Sequence, residues 1–172
     1  RRHLEHRLLR NQRHIEEKDV SLLQVLSEPL LMELHAEVYR PLLDHHPFFK
    51  VFAERNSSGN RKLCHSVITE VSLSQGDLLF TVGDRSHSMF VIWGGCLDYA
   101  SSQANSSSFA FVRQGEWLCE GCLWTHWISC GEVHAKTRAT IVCISAKNLH
   151  DVAKHCRSLS MRPARYGELF VE

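Results

Sequence analysis

The chain has 172 residues, enough for one medium-sized domain with or without a helical appendage, but not for two large domains. Hydrophobic residues make up 44% and charged residues 23%, a balance that predicts a packed core and excludes intrinsic disorder. The 20 Lys and Arg residues against 19 Asp and Glu residues leave a net charge of +1, which argues against a general nucleic-acid binder. The longest uncharged apolar run, residues 89–97, is far shorter than the roughly 20 residues that a membrane helix needs.

The first third of the chain, residues 1 to 55, is predicted to be helical because it is rich in Leu, His, Arg and Glu and contains no glycine. A basic helix opens it, and the thin apolar stripe of that helix favours a solvated face over a membrane-surface helix. A second helix is predicted from Asp19 to Leu26, and Ser27 is placed to cap a third. Pro41 and Pro47 are expected to break this region into short pieces.

The third predicted helix has an apolar residue at every fourth position, which places these side chains on one face. The positions are Leu30, Leu34, Val38 and Leu42. A short helix with such a stripe has little core of its own. We therefore expect the stripe to pack on a partner.

The middle of the chain is predicted to be β-rich, because eight of the nine glycines lie from Gly59 to Gly131 among β-branched and aromatic residues. The predicted strands are 67–73, 78–82, 88–93, 96–100, 109–113, 133–136 and 141–145. Short strands with glycine turns are typical of a sandwich or a jelly-roll barrel. Helical spacing returns from Ala146 to Cys156. The predicted class is α+β, with N-terminal helices, an antiparallel β-roll and C-terminal helices.

The cysteines are seven in number, at positions 64, 96, 119, 122, 130, 143 and 156. An odd number in a chain of this size favours a reducing compartment with free thiols. The chain opens with Arg-Arg-His and no apolar stretch, so no secretory signal is predicted.

One run of residues could bind a metal ion: Cys119-x2-Cys122-x3-His126-x3-Cys130, with His134 four residues further on. Its ligand types suit zinc, and the run resembles a zinc knuckle, but both later gaps are one residue short. Ordinary packing of these residues is the preferred interpretation, so no metal site is predicted. No nucleophile elbow, zinc-protease motif or phosphate-binding glycine loop occurs, and we predict no enzyme and no catalytic residues.

Two glycine-turn motifs carry a resemblance to a known family. They are Gly76-Asp77-Leu78-Leu79-Phe80-x-x-Gly83-Asp84 and Met89-Phe90-Val91-Ile92-x-x-Gly95. Together they resemble the β-roll of cyclic-nucleotide-binding domains. Leu118-Cys119-Glu120 stands where that family has Phe-Gly-Glu, and Ile144-Ser145-x-x-Asn148-Leu149 stands where its last strand leads into a helix.

The first third is similar to the C-linker of tetrameric voltage-gated channels. The similarity lies in Leu23-Gln24-x-Leu26-Ser27-x-Pro29-Leu30, Tyr39-Arg40-Pro41-Leu42-Leu43 and Pro47-Phe48-Phe49. It implies a C-linker-like segment over 1–55 and a cyclic-nucleotide-binding-like roll with C-terminal helices over 56–172. It also implies a soluble segment at the cytoplasmic face of a membrane, in a homotetramer with subunit contacts through Leu30, Leu34 and Val38. The implied function is regulation of a voltage-gated cation channel of the potassium-selective kind.

The predicted nucleotide pocket departs from the family pattern. Nucleotide-binding members hold the cyclic phosphate with an Arg nine residues after the Glu, which is Ser129 here, followed by Cys130 and Gly131. Cys119 replaces the glycine before Glu120, and Gly121 follows it. The run from Gly131 to Thr137 resembles ether-à-go-go-type potassium channels, whose domain does not depend on cyclic nucleotide. The resemblance therefore implies a degenerate pocket, with cyclic AMP and cyclic GMP bound weakly or not at all and no cofactor. The alternative is a soluble cyclic-nucleotide sensor such as a kinase regulatory subunit.

Overall fold

The computed structural model describes residues 20, 23, 25–101, 109–155, 166–168 and 170. Within them, the helices are α1 (Glu28–Leu43), α2 (Pro47–Arg55), α3 (Ser57–Ser66) and, after the last strand, α4 (Ala146–His155). The strands are β1 (Ile68–Leu73), β2 (Leu78–Phe80), β3 (Arg85–Ser86), β4 (Ser88–Gly94), β5 (Cys96–Ser101), β6 (Phe109–Arg113), β7 (Trp117–Leu118), β8 (Trp127–Ile128), β9 (Gly131–Ala135) and β10 (Ala139–Ser145). A 3₁₀-helix (Glu120–Leu123) lies between β7 and β8.

The strands form two four-stranded sheets, in the orders β1-β10-β4-β7 and β2-β9-β5-β6, and a two-stranded ribbon of β3 and β8. All the pairs are antiparallel. The predicted α+β class with an antiparallel β-roll is confirmed.

The first sheet is buried on both faces, which explains why its central strands are almost continuously apolar. Along β4, Met89 and Val91 belong to a core shared with the helices, whereas Ile92 belongs to a second core inside the roll. Along β10, Val142 and Ile141 divide in the same way. Side chains of a strand alternate between its two faces, so a sheet between two cores needs apolar residues at consecutive positions.

The helices cover the outer face of this sheet. Phe48, Phe49 and Phe52 of α2 are at most 3% exposed, and Leu63 of α3 is completely buried in the same core. The front helices are therefore short elements that pack on the β-roll. No helix in the described ranges is both long and apolar enough to cross a lipid bilayer.

The prediction that Pro41 breaks the third helix is wrong. The helix α1 continues past Pro41 to Leu43. Pro41 lies in the last turn of the helix, where its missing N–H removes one backbone hydrogen bond, and burial of Tyr39 and Leu43 stabilises the turn. Ser27 is the N-cap residue as predicted, but its side chain makes no capping hydrogen bond.

The helix α3 was not predicted, and Gly59, which was counted with the β-rich middle, lies inside it. The Asn56 side chain accepts a hydrogen bond from the backbone N–H of Gly59 at 2.8 Å and caps the helix. Packing of Leu63 and Cys64 in the core outweighs the low helix propensity of Ser and Gly here.

The remaining strand predictions agree with the structure to within two residues, but the two-residue strands β3, β7 and β8 were not predicted. The basic helix at the start of the chain and most of Asp19–Leu26 lie outside the described residues. The division of the chain at residue 55 stays a prediction.

Candidate functional site

The predicted nucleotide pocket lies on a segment that crosses from one sheet to the other. It begins at β7, which pairs with β4, continues through the 3₁₀-helix and β8, and enters the second sheet at β9. Between β8 and β9, the backbone N–H of Ser129 donates to Asp84 O and the N–H of Gly83 donates to Ser129 O, both at 2.9 Å. The segment is therefore fixed at both ends and in its middle.

Cys119 has an unusual backbone conformation. Its φ of 59° is the one positive value among the described non-glycine residues. A side chain is strained in this left-handed region, which glycine adopts freely. Cys119 thus adopts a backbone conformation that glycine favours, and it places a thiol there.

The thiol of Cys119 belongs to a small neutral polar cluster. Ser86 Oγ donates to Cys119 Sγ at 3.3 Å, and Ser86 Oγ also lies 3.3 Å from Ser129 Oγ. Burial raises the pKa of Cys119, although hydrogen bonds from Ser86 and Ser129 oppose the rise. Because a thiol with a raised pKa is neutral at physiological pH, the cluster consists of three uncharged groups.

The last predicted pocket residues, Cys130 and Gly131, have different surroundings. Cys130 is exposed, and its Sγ lies 3.6 Å from Ile128 O. Gly131 is buried, and a Cβ added to it would lie 2.5 Å from Tyr99 Cζ and 2.6 Å from Ala100 O. An alanine at this position would therefore collide with β5.

Glu120 is directed towards the helices. Its Oε1 lies 3.0 Å from His46 Nε2, and its Oε2 accepts a hydrogen bond from Trp117 Nε1 at 3.0 Å. Tyr166 OH donates to Oε1 at 3.5 Å. The carboxylate therefore joins the α1–α2 junction, β7 and the C-terminal residues 166–168.

The surroundings of Glu120 favour its charged form. Burial alone would raise its pKa, but the contacts with His46 and Trp117 outweigh burial and lower the pKa below its ordinary value of 4.5. The side chains of His46 and Glu120 are 2% and 15% exposed, so solvent screens their attraction only weakly.

Position 121 requires glycine, because a larger residue would not fit there. A Cβ at this position would overlap the Trp127 ring, which packs directly on the 3₁₀-helix. The structure thus assigns Gly121 a packing role and brings Cys119 and Ser129 together through Ser86, while Glu120 faces the helices.

Two cations near the second sheet do not reach the Cys119 cluster. Lys136 lies 3.7 Å from Asp98 and 3.8 Å from the centre of the Phe111 ring, and Arg138 is exposed on the turn after β9. Arg85 is adjacent to Ser86 in β3, but its guanidinium contacts His126. The uncharged groups of Ser86, Cys119 and Ser129 can therefore form hydrogen bonds with an anion, but they supply no positive charge.

The cysteine and histidine run considered for zinc is dispersed. Cys122 is buried within the 3₁₀-helix, whereas Cys130 is exposed beyond β8. Within the described part of the chain, no three His, Cys, Asp or Glu side chains are placed to hold a metal ion.

Residues 70–156 match the family model of the cyclic nucleotide-binding domain. The chain belongs to this family. No curated protein matches it. Among solved structures, the N-terminal domain of a transcriptional regulator from Streptomyces coelicolor A3(2) shares 19% of its residues with this chain and superposes with a TM-score of 0.61. The match covers 76% of this chain and 91% of that domain, and it shows a shared fold.

Sequence reasoning did not identify the residues that bind Glu120. The sequence patterns gave no role to His46 or Trp117. Tyr166 lies 46 positions from Glu120 in sequence, so no local pattern connects the two. The available signal was the position of the Glu120 carboxylate among the tryptophans at 117, 124 and 127.

Proposed function

We propose that this domain is the cytosolic gating domain of a voltage-gated cation channel of the potassium-selective kind. The observation that carries the proposal is the apolar stripe on α1, where Leu30, Leu34 and Val38 are 54%, 36% and 39% exposed. Large apolar side chains on successive turns of one helix form a surface that a partner covers. The resemblance of this region to a C-linker supplies the partner, which is the same segment of a neighbouring subunit in a tetramer.

The opposite face of α1 is anchored to the β-roll. Tyr39 OH donates to Glu70 Oε1 of β1 at 2.8 Å, and the His35 ring stacks on His65 of α3 with centroids 5.1 Å apart. Leu43 is 2% exposed in the core. A change in how the stripe packs between subunits would therefore move the roll with it, as a gating domain requires.

The contact between His46 and Glu120 supports transmission of a movement from the β-roll to α1. His46 is the N-cap residue of α2, three positions after α1 ends at Leu43, so a shift of the 3₁₀-helix acts on the junction of these two helices. Tyr166 adds the C-terminal residues to the same contact. In the proposed mechanism, rearrangement around Glu120 biases the ring of α1 helices beneath the pore.

The proposed gating does not depend on cyclic nucleotide. A cyclic phosphate carries one negative charge, and burying it without a cation is unfavourable. The neutral cluster of Cys119, Ser86 and Ser129 offers weak hydrogen bonds in place of a bidentate Arg. The domain then acts through contacts between its own elements.

The test of the stripe is the oligomeric state of the protein. We expect light scattering at rising concentration to show dimers and tetramers, and Leu34→Asp to shift them to monomer because it places a charge in the contact. Leu78→Asp is the matched control, since Leu78 is also exposed, at 50%, but lies on β2 of the second sheet. A protein that stays monomeric, or one that responds equally to both variants, would contradict the proposal.

The channel assignment has a test of its own. In the full-length protein we expect six hydrophobic spans, one of them rich in Arg, before residue 1, and voltage-dependent currents that Leu34→Asp alters. If association through the stripe holds while those spans are missing, the soluble-sensor alternative replaces the channel.

A further inference from the structure

An open cleft of about 450 Å³ lies between β3, the end of the 3₁₀-helix and the first turns of α4. Its volume falls within the roughly 300–1,000 Å³ that is usual for small-molecule sites. The side chains that give it chemical character are Arg85, His87, Trp124, His126, Trp127 and His150. The predicted nucleotide pocket does not include these residues.

The cleft is rich in nitrogen donors. One guanidinium and three imidazoles line it, and no described lining residue carries a carboxylate. Arg85 is permanently charged, and each imidazole can donate at least one N–H. This combination favours an anion with several acceptor oxygens.

Two of the rings are held by hydrogen bonds. Arg85 Nη2 lies 2.6 Å from His126 Nδ1, and because a guanidinium can only donate, that Nδ1 accepts and the ring's proton is on Nε2. His150 Nε2 donates to Leu123 O at 2.7 Å. The donors are ordered before any ligand arrives, which reduces the entropy lost on binding.

The backbone brings these side chains together from distant parts of the sequence. Arg85 pairs with Ile128 in the β3–β8 ribbon. The backbone N–H of Ala146 donates to His87 O at 3.0 Å and ties the first turn of α4 to the end of β3. The cleft is therefore bounded by elements that are directly bonded to one another.

The aromatic side of the cleft consists of two indoles. Trp124 is fixed by ring contacts with Phe48 and Tyr166, each with centroids 4.9 Å apart, and Trp127 packs on Gly121. Indole faces next to a cationic group favour planar ring systems.

We propose that this cleft binds an aromatic phosphate of about the size of a nucleoside monophosphate. Arg85 and the Nε2–H of His126 contact the phosphate oxygens, and the indoles contact the ring. A phosphate matches the several donors better than a carboxylate, since it offers more acceptor oxygens in a compact group.

The test is calorimetric titration of the whole protein with adenosine 5′-monophosphate, adenosine and inorganic phosphate. We expect the monophosphate to bind more tightly than either fragment. Arg85→Gln should weaken its binding about 10- to 100-fold, because a charge-assisted hydrogen bond is lost. The control is Arg138→Gln, which makes the same change of charge. Arg138 lies on the exposed turn before β10, whereas the cleft adjoins the opposite end of that strand. We therefore expect Arg138→Gln to leave binding of the monophosphate unchanged.

A second cleft variant and a measurement of folding distinguish a lost contact from misfolding. His126→Leu should also weaken binding of the monophosphate, because it removes the Nε2–H, and circular dichroism should show that both cleft variants retain the wild-type spectrum. The proposal is overturned if the monophosphate does not bind, if adenosine or phosphate binds equally well, or if folded Arg85→Gln binds as tightly as the wild type.

Discussion

The two sides of the 3₁₀-helix (Glu120–Leu123) differ in the chemistry they present. Towards the roll, Cys119, Ser86 and Ser129 form a neutral cluster. Towards the helices, the Glu120 carboxylate meets an imidazole and accepts hydrogen bonds from an indole and a phenol. Glu120 contacts the helices, while Ser129, the predicted phosphate position, has the neutral Ser86 hydroxyl beside it. The strong electrostatic contact is thus on the helix side.

The largest expected effect comes from breaking that contact. His46→Leu keeps most of the side-chain volume but leaves the buried Glu120 charge without its partner, and we expect a loss of about 3 kcal/mol in the free energy of unfolding. Urea denaturation measures it. The control is Lys154→Ala, which removes the exposed pair with Asp151 and should change stability by less than about 0.5 kcal/mol. If the two variants lose similar amounts, the helix-side contact is not the strong one.

On the roll side, we expect Gly131→Ala to destabilise the protein by about 2 kcal/mol. The added Cβ would lie 2.6 Å from Ala100 O, a backbone atom that cannot move without disturbing β5. Gly94→Ala is the matched control, because a Cβ there meets nothing within 4 Å. Thermal unfolding of the two variants tests this, and equal midpoints would show that the roll side is loosely packed.

The contrast between the two sides also marks what the sequence could predict. The double burial of β4 and β10 appears as consecutive apolar residues, so the β-roll and its strands were predictable from local patterns. Cys119 and Ser129 were located by spacing from Glu120. The partners of Glu120 were not predictable from a local pattern, because His46 and Tyr166 are distant from it in the sequence. The helix α3 was missed for a related reason, since its Ser and Gly residues are stabilised by tertiary packing.

Acid should weaken the helix side selectively. The pKa of Glu120 is lowered in the folded state, so its stabilising contribution is complete above the ordinary value of 4.5 and is lost as the pH falls through the lower folded value. Between about pH 6 and pH 3 the wild type should therefore lose more stability than Glu120→Gln, which has no such charge. Parallel slopes of unfolding free energy against pH for the two proteins would contradict this assignment.

Thiol labelling should give the smallest but most local contrast. Burial raises the pKa of Cys122 to about 12 and of Cys143 to about 11, so both should resist alkylation at neutral pH in the folded protein. Cys130 is exposed and should react first, with the partly buried Cys119 between these extremes. Mass spectrometry of peptides after timed alkylation gives the order. Early labelling of Cys122 would mean that the 3₁₀-helix opens readily to solvent.

The central claim is that the roll interior lacks the charge needed to hold a cyclic phosphate, and titration calorimetry with cyclic AMP tests it most directly. We expect the wild type to bind cyclic AMP with a Kd weaker than the micromolar range. Cys119→Gly together with Ser129→Arg should raise the affinity by about two to four orders of magnitude, because a bidentate Arg adds two charge-assisted hydrogen bonds. Micromolar affinity of the wild type at physiological salt, or no gain in the folded double variant, would contradict the account.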